Sequence, residues 1–591
     1  NVAGELRLAR EVKYAWAVVV GGLGRDEGRV VGVDEVGNVT VAGTFSGTAD
    51  FDPGAGVQNA SSTGGRDVFV QKLDARGGVL WTKTFGGPGE EEVRGMAQDT
   101  AGNVYLAGSF FGQVDFDPGA GTRKLGASGE SDLYVMKLNS AGELVWAHAL
   151  GGATHEQATA LAVSPAGEVY LTGFFSGELD VDPGPGQSRV TAAGQVDSFV
   201  VKFDAGGELV WAKGLGVPAG HAALVAVGAG TDAAGGVYIL GAALPASATF
   251  ERAAGVGGLT VQAGMEGALY KLDAQGGNVW SRRWSGTGGV LGRAVAVGAG
   301  SVLVAGNYRG EVDADPGAGE RVLGTEGGVE GFVVKVDVAG AYGWSHRFGG
   351  SGDEALTSVA VDERGGVYVG GMFHGEVDFD PGSGTAKQVA NGGGEEGFVV
   401  KLESTGAYVW SKVFGGAADD HVQSVAVDRT GDVYLGGYYA GVVDFDPGMG
   451  EAVYASSGGY DAFVVKLTTT GTIRVDTQAP QVAAVTRRMP QEAGVTATSV
   501  AYRVRFSREV TGVDAGDFNV TTTGGLSGAV TAVAAVNAGE YVVVAGNLQG
   551  SGTVRLDVKS TGTGITDLSG NALAGGYTLG ETYTVTAAAT Q

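Results

Sequence analysis

Paired aspartates are the residues of this chain whose type and spacing best suit chemistry. They stand in the motif Asp-x-Asp-Pro-Gly, which occurs six times in 591 residues. Carboxylates at positions i and i+2 of a curled, glycine-containing loop suit Ca²⁺, which takes about six to eight oxygen ligands. We therefore predict structural Ca²⁺ at the aspartates of these loops, which are Asp50, Asp52, Asp115, Asp117, Asp180, Asp182, Asp313, Asp315, Asp378, Asp380, Asp444 and Asp446.

A turn without metal is the alternative interpretation of the same motif. Asp-Pro-Gly is a favourable turn by itself, because the Asp side chain accepts backbone N–H groups and Pro presets φ. The sequence leaves both interpretations open. A catalytic role is disfavoured, since six copies of one motif single out no unequal carboxylate pair of the kind that a glycosidase needs.

Two more series of acidic residues fall at the same end of each repeat. One series lies on the loops that join repeats, namely Asp26, Glu91, Glu156, Glu354 and Asp420. The other opens the third strand of each repeat, namely Asp67, Asp132, Asp197, Glu266, Glu330, Glu396 and Asp461. We expect an intact repeat to gather up to four carboxylates, whose repulsion a cation or a raised pKa must relieve. The spacing leaves open whether a loop acid serves its own repeat or the preceding one.

Catalytic motifs are absent from the sequence. There is no Gly-x-Ser-x-Gly elbow, no His-Glu-x-x-His pattern and no phosphate-binding loop. The chain has no cysteine, which excludes disulfides and thiolate sites. Its six histidines are scattered, with His148 and His346 on outer strands, and their positions do not suggest a metal site. We predict that the protein is not an enzyme.

Charge and hydropathy limit the partners. A formal net charge of −26 argues against nucleic acid, because phosphate binding requires a basic face. No apolar run reaches the roughly 18 residues of a membrane-spanning helix, so membrane insertion is not expected. The first residue is Asn1 and not Met, which fits a processed, exported protein or a trimmed chain.

The spacing of the motif, about 65 residues, predicts the fold. A tryptophan keeps the same spacing, at Trp16, Trp81, Trp146, Trp211, Trp280, Trp344 and Trp410. A degenerate copy of the motif, Thr249–Arg252, fills the one wide gap, which makes seven repeats. The second repeat reads as four short strands, at Glu92–Asp99, Asn103–Phe110, Asp132–Leu138 and Glu143–Leu150. The pattern predicts an all-β fold, a seven-bladed β-propeller with four-stranded blades.

The last repeat lacks a fourth strand, and the N-terminal region has a spare one. Residues Gly471–Arg474 contain no Trp, whereas Val12–Val20 is a Trp-containing strand with no repeat before it. We predict that this N-terminal strand pairs with the last three strands and closes the last blade, because an open ring exposes two sheet edges. The Trp residues are expected to pack between blades.

Two further features each allow two interpretations. The fourth repeat lacks the Asp pair, through drift or because it serves a partner contact. Lysines near the end of every third strand and aspartates at the end of several first strands form either a ring of ion pairs or solvated stems covering the sheets. These residues are Lys72, Lys137, Lys202, Lys271, Lys335, Lys401 and Lys466, with Asp34, Asp99, Asp362 and Asp428.

The repeat stops after Arg474, and a different strand pattern follows. Strands are expected at 499–506, 540–545, 553–558 and 581–585, which suits an immunoglobulin-like β-sandwich without the usual Cys pair. We therefore predict an N-terminal extension (1–11), the propeller (12–474), a linker (475–480) and an Ig-like β-sandwich (481–591).

Several recurring strings resemble a known family. Val-Asp-Phe-Asp-Pro-Gly, Phe-Val-Val-Lys-Leu, Val-Trp-Ser-Lys and Gly-Asp-Val-Tyr-Leu-Gly-Gly resemble the repeats of bacterial seven-bladed β-propeller proteins, over residues 12–474. In the tail, Val510–Asp514 with Asp517-Phe518, and Asp567–Asn571, resemble the Ig-like modules of large exported bacterial adhesins. The resemblance implies an extracellular or cell-surface location and no particular activity.

These observations favour a non-enzymatic, extracellular structural or adhesive protein with Ca²⁺-stapled blades, a role that would suit a subunit of a surface fibre. The expected partners are other copies of the chain, surface proteins or glycans. Residues 1–11 are candidates for pairing with the exposed edge of another subunit. The alternative is a lectin or a carbohydrate-active enzyme that uses the acidic face or the axial funnel of the propeller.

Overall fold

The computed structural model describes residues 11–54, 56–245, 261–382, 384–390, 394–447, 452–470, 480–507, 510–537, 540–567 and 572–587. The degenerate motif Thr249–Arg252, residues 1–10, segment 471–479 and part of the string Asp567–Asn571 lie outside these ranges. Within them the chain is all-β, apart from the 3-10 turn Ala515–Asp517. The chain divides into two compact units, residues 1–470 and 471–591.

The strands of the first unit are short and follow each other through tight turns. In chain order they are β1 (Glu11–Gly22), β2 (Glu27–Val33), β3 (Val39–Asp50), β4 (Asn59–Leu73), β5 (Val79–Phe85), β6 (Glu92–Gln98), β7 (Val104–Phe110), β8 (Gln113–Asp115), β9 (Lys124–Gly126), β10 (Asp132–Leu138), β11 (Leu144–Gly152), β12 (Gln157–Val163), β13 (Val169–Phe175), β14 (Glu178–Asp180), β15 (Arg189–Thr191), β16 (Asp197–Phe203), β17 (Leu209–Gly214), β18 (Ala223–Thr231), β19 (Val237–Leu244), β20 (Glu266–Leu272), β21 (Asn278–Trp284), β22 (Val290–Gly298), β23 (Ser301–Tyr308), β24 (Glu311–Asp313), β25 (Val322–Gly324), β26 (Glu330–Asp337), β27 (Tyr342–Gly350), β28 (Glu354–Val361), β29 (Val367–Phe373), β30 (Glu376–Asp378), β31 (Lys387–Val389), β32 (Glu396–Leu402), β33 (Tyr408–Gly416), β34 (Asp420–Val427), β35 (Val433–Asp444) and β36 (Val453–Thr470).

These strands group into repeats of four antiparallel strands. Numbered one to seven, the repeats are β2-β3-β4-β5, β6-β7-β10-β11, β12-β13-β16-β17, β18-β19-β20-β21, β22-β23-β26-β27, β28-β29-β32-β33 and β34-β35-β36-β1. The four strands predicted for the second repeat are confirmed by β6, β7, β10 and β11. The strand pair β8–β9, which carries the Asp motif, was not predicted from the sequence.

The first strands of the repeats contact one another in a closed ring. β2 contacts β6, and the contacts continue through β12, β18, β22, β28 and β34 back to β2. The predicted closing strand is confirmed, because β1 pairs antiparallel with β36 from Val12 opposite Thr469 to Val20 opposite Ala462. The N-terminal strand therefore completes the last repeat.

Burial follows the order of the strands within a repeat. Every residue of the second strand β7 is buried, because sheets cover it on both faces. The tryptophans of the fourth strands link neighbouring repeats, as predicted: Trp81 Nε1 donates to the carbonyl of Ser140 in the next repeat at 3.0 Å. Gly108 on β7 is required by close approach, because a Cβ there would lie 1.7 Å from the carbonyl oxygen of Glu92.

The second unit contains two four-stranded sheets with one hydrophobic core. Its strands are β37 (Val482–Met489), β38 (Gly494–Val495), β39 (Val500–Phe506), β40 (Val510–Thr511), β41 (Phe518–Thr522), β42 (Ser527–Asn537), β43 (Glu540–Gln549), β44 (Gly552–Val558), β45 (Thr566–Asp567) and β46 (Thr582–Val585). The sheets have the orders β37-β39-β43-β42 and β38-β46-β44-β41. Between them lie buried Tyr502, Val543, Leu556 and Tyr583. The four strands predicted in the tail are confirmed by β39, β43, β44 and β46.

Candidate functional site

Each Asp-x-Asp-Pro-Gly motif forms a hydrogen-bonded loop. In the second repeat, Asp115 Oδ1 accepts the backbone N–H groups of Asp117 at 3.2 Å and Arg123 at 2.7 Å. Asp117 Oδ1 accepts the N–H of Gly119 at 2.8 Å. Phe116 lies between the two aspartates and is fully buried. One aspartate thus closes the loop, the other caps its turn, and the residue between them anchors it in the core.

The same geometry recurs in all six motifs. The first Asp accepts the N–H groups two and eight residues further along the chain, over distances of 2.7 to 3.2 Å. The residue between the aspartates is buried in each copy, namely Phe51, Phe116, Val181, Ala314, Phe379 and Phe445. The turn interpretation of the motif therefore accounts for its first oxygen without a cation.

The Asp loops also join neighbouring repeats. At four motifs the strand that leads into the loop pairs with the Gly-Gly end of the preceding repeat's fourth strand, for example Gly151 opposite Asp180 and Gly415 opposite Asp444. At a fifth, a bridge joins Gly286 to Val312. The ring of Phe116 lies 5.5 Å from that of Phe85, which ends the fourth strand of the first repeat. Each loop is therefore a clasp between two repeats, and we call these loops the Asp clasps.

Replacing Asp115 by Ala should lower the free energy of unfolding by about 2 kcal/mol, because two hydrogen bonds to a charged acceptor are lost. Asp115→Asn keeps an oxygen acceptor and should cost much less. Chemical denaturation with and without Ca²⁺ measures both. If the Asn variant is as unstable as the Ala variant when Ca²⁺ is present, but not when it is absent, the result would instead support metal binding at the clasp.

A second carboxylate site lies at the junctions between repeats. At the first junction, Glu91 on the joining loop accepts the N–H of Gly87 at 2.8 Å, and Asp67 of the preceding repeat lies against Gly86. The same arrangement pairs each loop acid with the third-strand acid of the preceding repeat: Asp26 with Asp461, Glu91 with Asp67, Glu156 with Asp132, Glu354 with Glu330, and Asp420 with Glu396. The loop acids contact both repeats, since Asp26 Oδ1 also accepts the N–H of Ser46 in its own repeat at 3.2 Å.

These junction acid pairs are buried and strongly perturbed. Burial, and then repulsion from the partner acid, raises the pKa of Glu91 to about 7 and that of Glu354 to about 8. The pKa of Asp26 rises to about 6 and that of Asp420 to about 7, again mainly through burial. In the part of the chain that the structure describes, Glu91 Oε1 and Asp67 Oδ1 have no hydrogen-bond partner. Glu91, Glu354 and Asp420 can therefore retain a proton near neutral pH.

The expected gathering of four carboxylates does not occur. Among the residues described, no three acidic or histidine side chains come together as a metal site. The Asp clasp and the junction pair remain separate, because backbone amides hold the clasp aspartates within their own loop. The fourth repeat departs from both patterns: Val290 replaces the loop acid, and Glu266 lies 3.5 Å from Arg283 Nη1.

The opposite end of the strands carries the lysines, which form ion pairs in six repeats, with the predicted Asp34, Asp99 and Asp362 in three of them. The pairs are Lys72–Asp34, Lys137–Asp99, Lys202–Glu168, Lys271–Asp232, Lys401–Asp362 and Lys466–Asp432. Asp428, predicted as a partner, instead accepts from the Tyr434 hydroxyl at 2.9 Å. Lys335 donates to the carbonyl of Ser404 at 2.9 Å, and burial lowers its pKa.

No family model matches the chain. The regulatory protein FlaEY of Caulobacter vibrioides is 25% identical over 306 residues, which cover 50% of this chain and 30% of that protein. An uncharacterized WD repeat-containing protein of Acanthamoeba polyphaga mimivirus is 27% identical over 163 residues, which cover 24% of this chain and 12% of the relative. The chain thus spans less than a third of the length of either curated relative. A puromycin hydrolase structure aligns with a TM-score of 0.39 and 12% identity over 81% of this chain and 58% of that chain, which is too distant to argue from.

The WD-repeat relative and the repeated, four-stranded, all-β architecture together fit a β-propeller. Within the described ranges, no helix has the length and apolar character to cross a membrane.

Proposed function

We propose that the chain is a seven-bladed β-propeller followed by an Ig-like β-sandwich, and that it acts as a non-enzymatic structural or adhesive protein outside the cell. The observation that carries this proposal is the equivalence of the six Asp clasps. All six are closed by the same internal hydrogen bonds and lie where two repeats meet, so the most prominent polar motif of the chain supports a rigid ring. Repetition of this kind supports a scaffold better than a catalyst, which needs one unequal constellation.

Calcium at the clasps is part of the same proposal. Each first Asp uses Oδ1 for two backbone N–H groups. A cation at these loops would bind the Oδ2 atom of the first Asp and the carboxylate of the second Asp, which caps the turn. Titration of the whole chain with Ca²⁺, and melting with and without a chelator, test this part independently of the fold.

Assembly with other copies is supported by the outer strands. In four repeats the fourth strand exposes one large apolar residue immediately before the Trp, namely Leu80, Val145, Val210 and Val279. An exposed, apolar edge strand is a template for strand addition by another chain, and natural edges are commonly blocked by lysine. We therefore assign contacts between subunits to these outer edges.

Electron microscopy and sedimentation over a range of concentrations test the assembly. The parent chain should form higher assemblies, and Val145→Lys combined with Val210→Lys should weaken them at least tenfold in concentration. Val36→Lys, at an exposed turn position away from the outer strands, is the matched control. A parent chain that stays monomeric at high concentration, or a control that is equally disruptive, contradicts the proposal.

A further inference from the structure

A cavity of about 480 Å³ lies within the ring of first strands. Residues from all seven repeats line it, and five of them are arginines: Arg25, Arg29, Arg66, Arg94 and Arg293. The formal net charge of the chain is −26, so a concentration of positive side chains at its axis runs against the overall composition. The cavity is separate from the Asp clasps and from the junction acid pairs.

A β-bulge at the same place in every first strand supplies the wall of this cavity. In each repeat the first strand pairs with the second, and one first-strand residue lies opposite a recurrent glycine of the second strand. The residue that follows it has no partner on the second strand, and this extra residue lines the cavity. The seven bulged residues are Arg29, Arg94, Thr159, Val227, Arg293, Thr357 and Gln423. A bulge re-aims a side chain that a regular strand would direct elsewhere.

The chemistry of the bulged residues differs from repeat to repeat. The Asp clasps keep one residue type in six repeats, whereas the bulges carry arginine, threonine, valine and glutamine. Arginines at repeats one, two and five make the lining asymmetric. The Asp clasps are alike because every repeat needs the same loop to pack in the ring. The bulged residues differ, and a cavity wall with different groups at each repeat is suited to one particular ligand.

Buried glutamates hold the arginines in place. Arg94 Nη2 lies 2.7 Å from Glu92 Oε2, and Arg66 Nη2 lies 3.3 Å from Glu92 Oε1. Arg25 and Arg29 both contact the fully buried Glu27. Burial acts to raise the pKa of Glu92, but the nearby arginines outweigh it and hold that pKa below its ordinary value.

The lining of the cavity contains five arginines and one glutamate, Glu92. Two more glutamates, Glu27 and Glu90, pair with Arg25, Arg29 and Arg66 from beside it. Burial lowers the pKa of Arg29, and the neighbouring Arg94 adds to this effect. An oxyanion offsets the positive charge of the arginines, and guanidinium groups bind carboxylates and phosphates in bidentate fashion.

An aromatic surface adjoins the arginines. Tyr438 lines the cavity, stacks on His421 at 4.7 Å and packs edge-on against Tyr460 at 5.0 Å. Arg25 lies over the Tyr460 ring at 5.0 Å. With Met372 in the same wall, the cavity offers an apolar face beside its cationic groups.

We propose that this axial cavity binds a small organic anion, whose carboxylate or phosphate groups pair with Arg29, Arg94 and Arg293 and whose carbon skeleton lies against Tyr438 and Met372. The inference does not depend on the scaffold function, because it rests on the bulged residues and not on the clasps.

Calorimetric titration of the whole chain tests the site with three probes of similar size. D-galacturonate carries a carboxylate, D-glucose 6-phosphate carries a phosphate, and D-galactose is the neutral control. We expect one of the two anions to bind saturably, at least tenfold more tightly than galactose, and to weaken as salt is raised. The tighter of the two identifies the oxyanion source.

Three variants locate the binding. Arg29→Gln and Arg94→Gln should each weaken the anion at least tenfold, while Glu27 and Glu92 keep Arg25 and Arg66 as partners. Gln423→Glu is nearly isosteric, removes no ion pair and should weaken binding to a similar degree by adding a negative charge. Arg189→Gln, at an exposed ion pair with Glu178, is the control and should leave binding unchanged. Absence of saturable anion binding to the folded parent, or equal loss in the Arg189 variant, overturns the proposal.

Discussion

The first unit should be more stable at pH 5 than at pH 8 when a chelator removes divalent cations. Glu91, Glu354, Asp26 and Asp420 have folded pKa values of about 6 to 8, above their ordinary values, mainly because they are buried. Between the unfolded and the folded pKa the native state binds more protons than the unfolded state, so stability falls as pH rises. The contribution is fully present below the unfolded pKa and is lost as pH rises through 6 to 8.

Other acids do not cancel this trend within the same window. The arginines around Glu92 lower its pKa, and hydrogen bonds lower that of Asp99, against the effect of burial in both cases. The stability that Glu92 and Asp99 contribute is lost only when the pH falls through their lowered pKa values, which lie below pH 5. Two histidines, His148 and His346, act in the opposite direction, because burial lowers their pKa values and favours the neutral form. The junction acids with raised pKa values outnumber them, so we expect these acids to set the net direction between pH 5 and pH 8.

Melting curves of Glu354→Gln provide the specific test. Glutamine keeps the oxygen that accepts the Gly350 N–H but carries no charge. The variant should therefore be more stable than the parent at pH 8, by a few degrees in melting temperature, and close to it at pH 5. Glu311→Gln, at an exposed position on β24, is the control. If the variant and the parent lose stability equally between the two pH values, Glu354 is not the group that titrates.

The second large effect should come from the closing strand. Val18 is 4% exposed and lies opposite Val464 in the pairing of β1 with β36. Val18→Asp places a charge in an apolar core without a partner, which should cost about 3 kcal/mol or more. Leu23→Asp, one residue beyond the end of β1 and 87% exposed, should be nearly neutral.

Removal of residues 1–22 extends this test. The first unit of the truncated chain should melt at a lower temperature and self-associate, because the edge of β36 is then free to pair with another molecule. A peptide spanning residues 11–22 should restore the parent behaviour when added in trans, as measured by melting and light scattering. A truncated chain that melts like the parent would show that β1 does not hold the ring closed.

Much of the fold was predictable because its signals are local. Alternating apolar residues in Asp132–Leu138, flanked by Gly-containing turns, are sufficient to identify β10, and a similar string recurs in every repeat. The spare strand at Val12–Val20 was predictable because it carries the Trp that the last repeat lacks. The strand pairs beside the Asp motifs were missed, since three-residue strands such as β8 and β9 have too little pattern to detect.

The sequence by itself determined the repeat, its strands, the closing strand and the positions at which carboxylates recur. Each of these can be recognised from the residues of one repeat or by comparing the repeats with one another. The tertiary structure alone decided which carboxylates meet. Asp115 is satisfied by amides of its own loop, whereas Glu91 meets Asp67 of the preceding repeat. It alone also revealed the arginine-lined cavity, because the shift in register that exposes Arg29 and Arg94 leaves no mark in the sequence. Residues far apart in the chain become neighbours only when the ring closes around its axis.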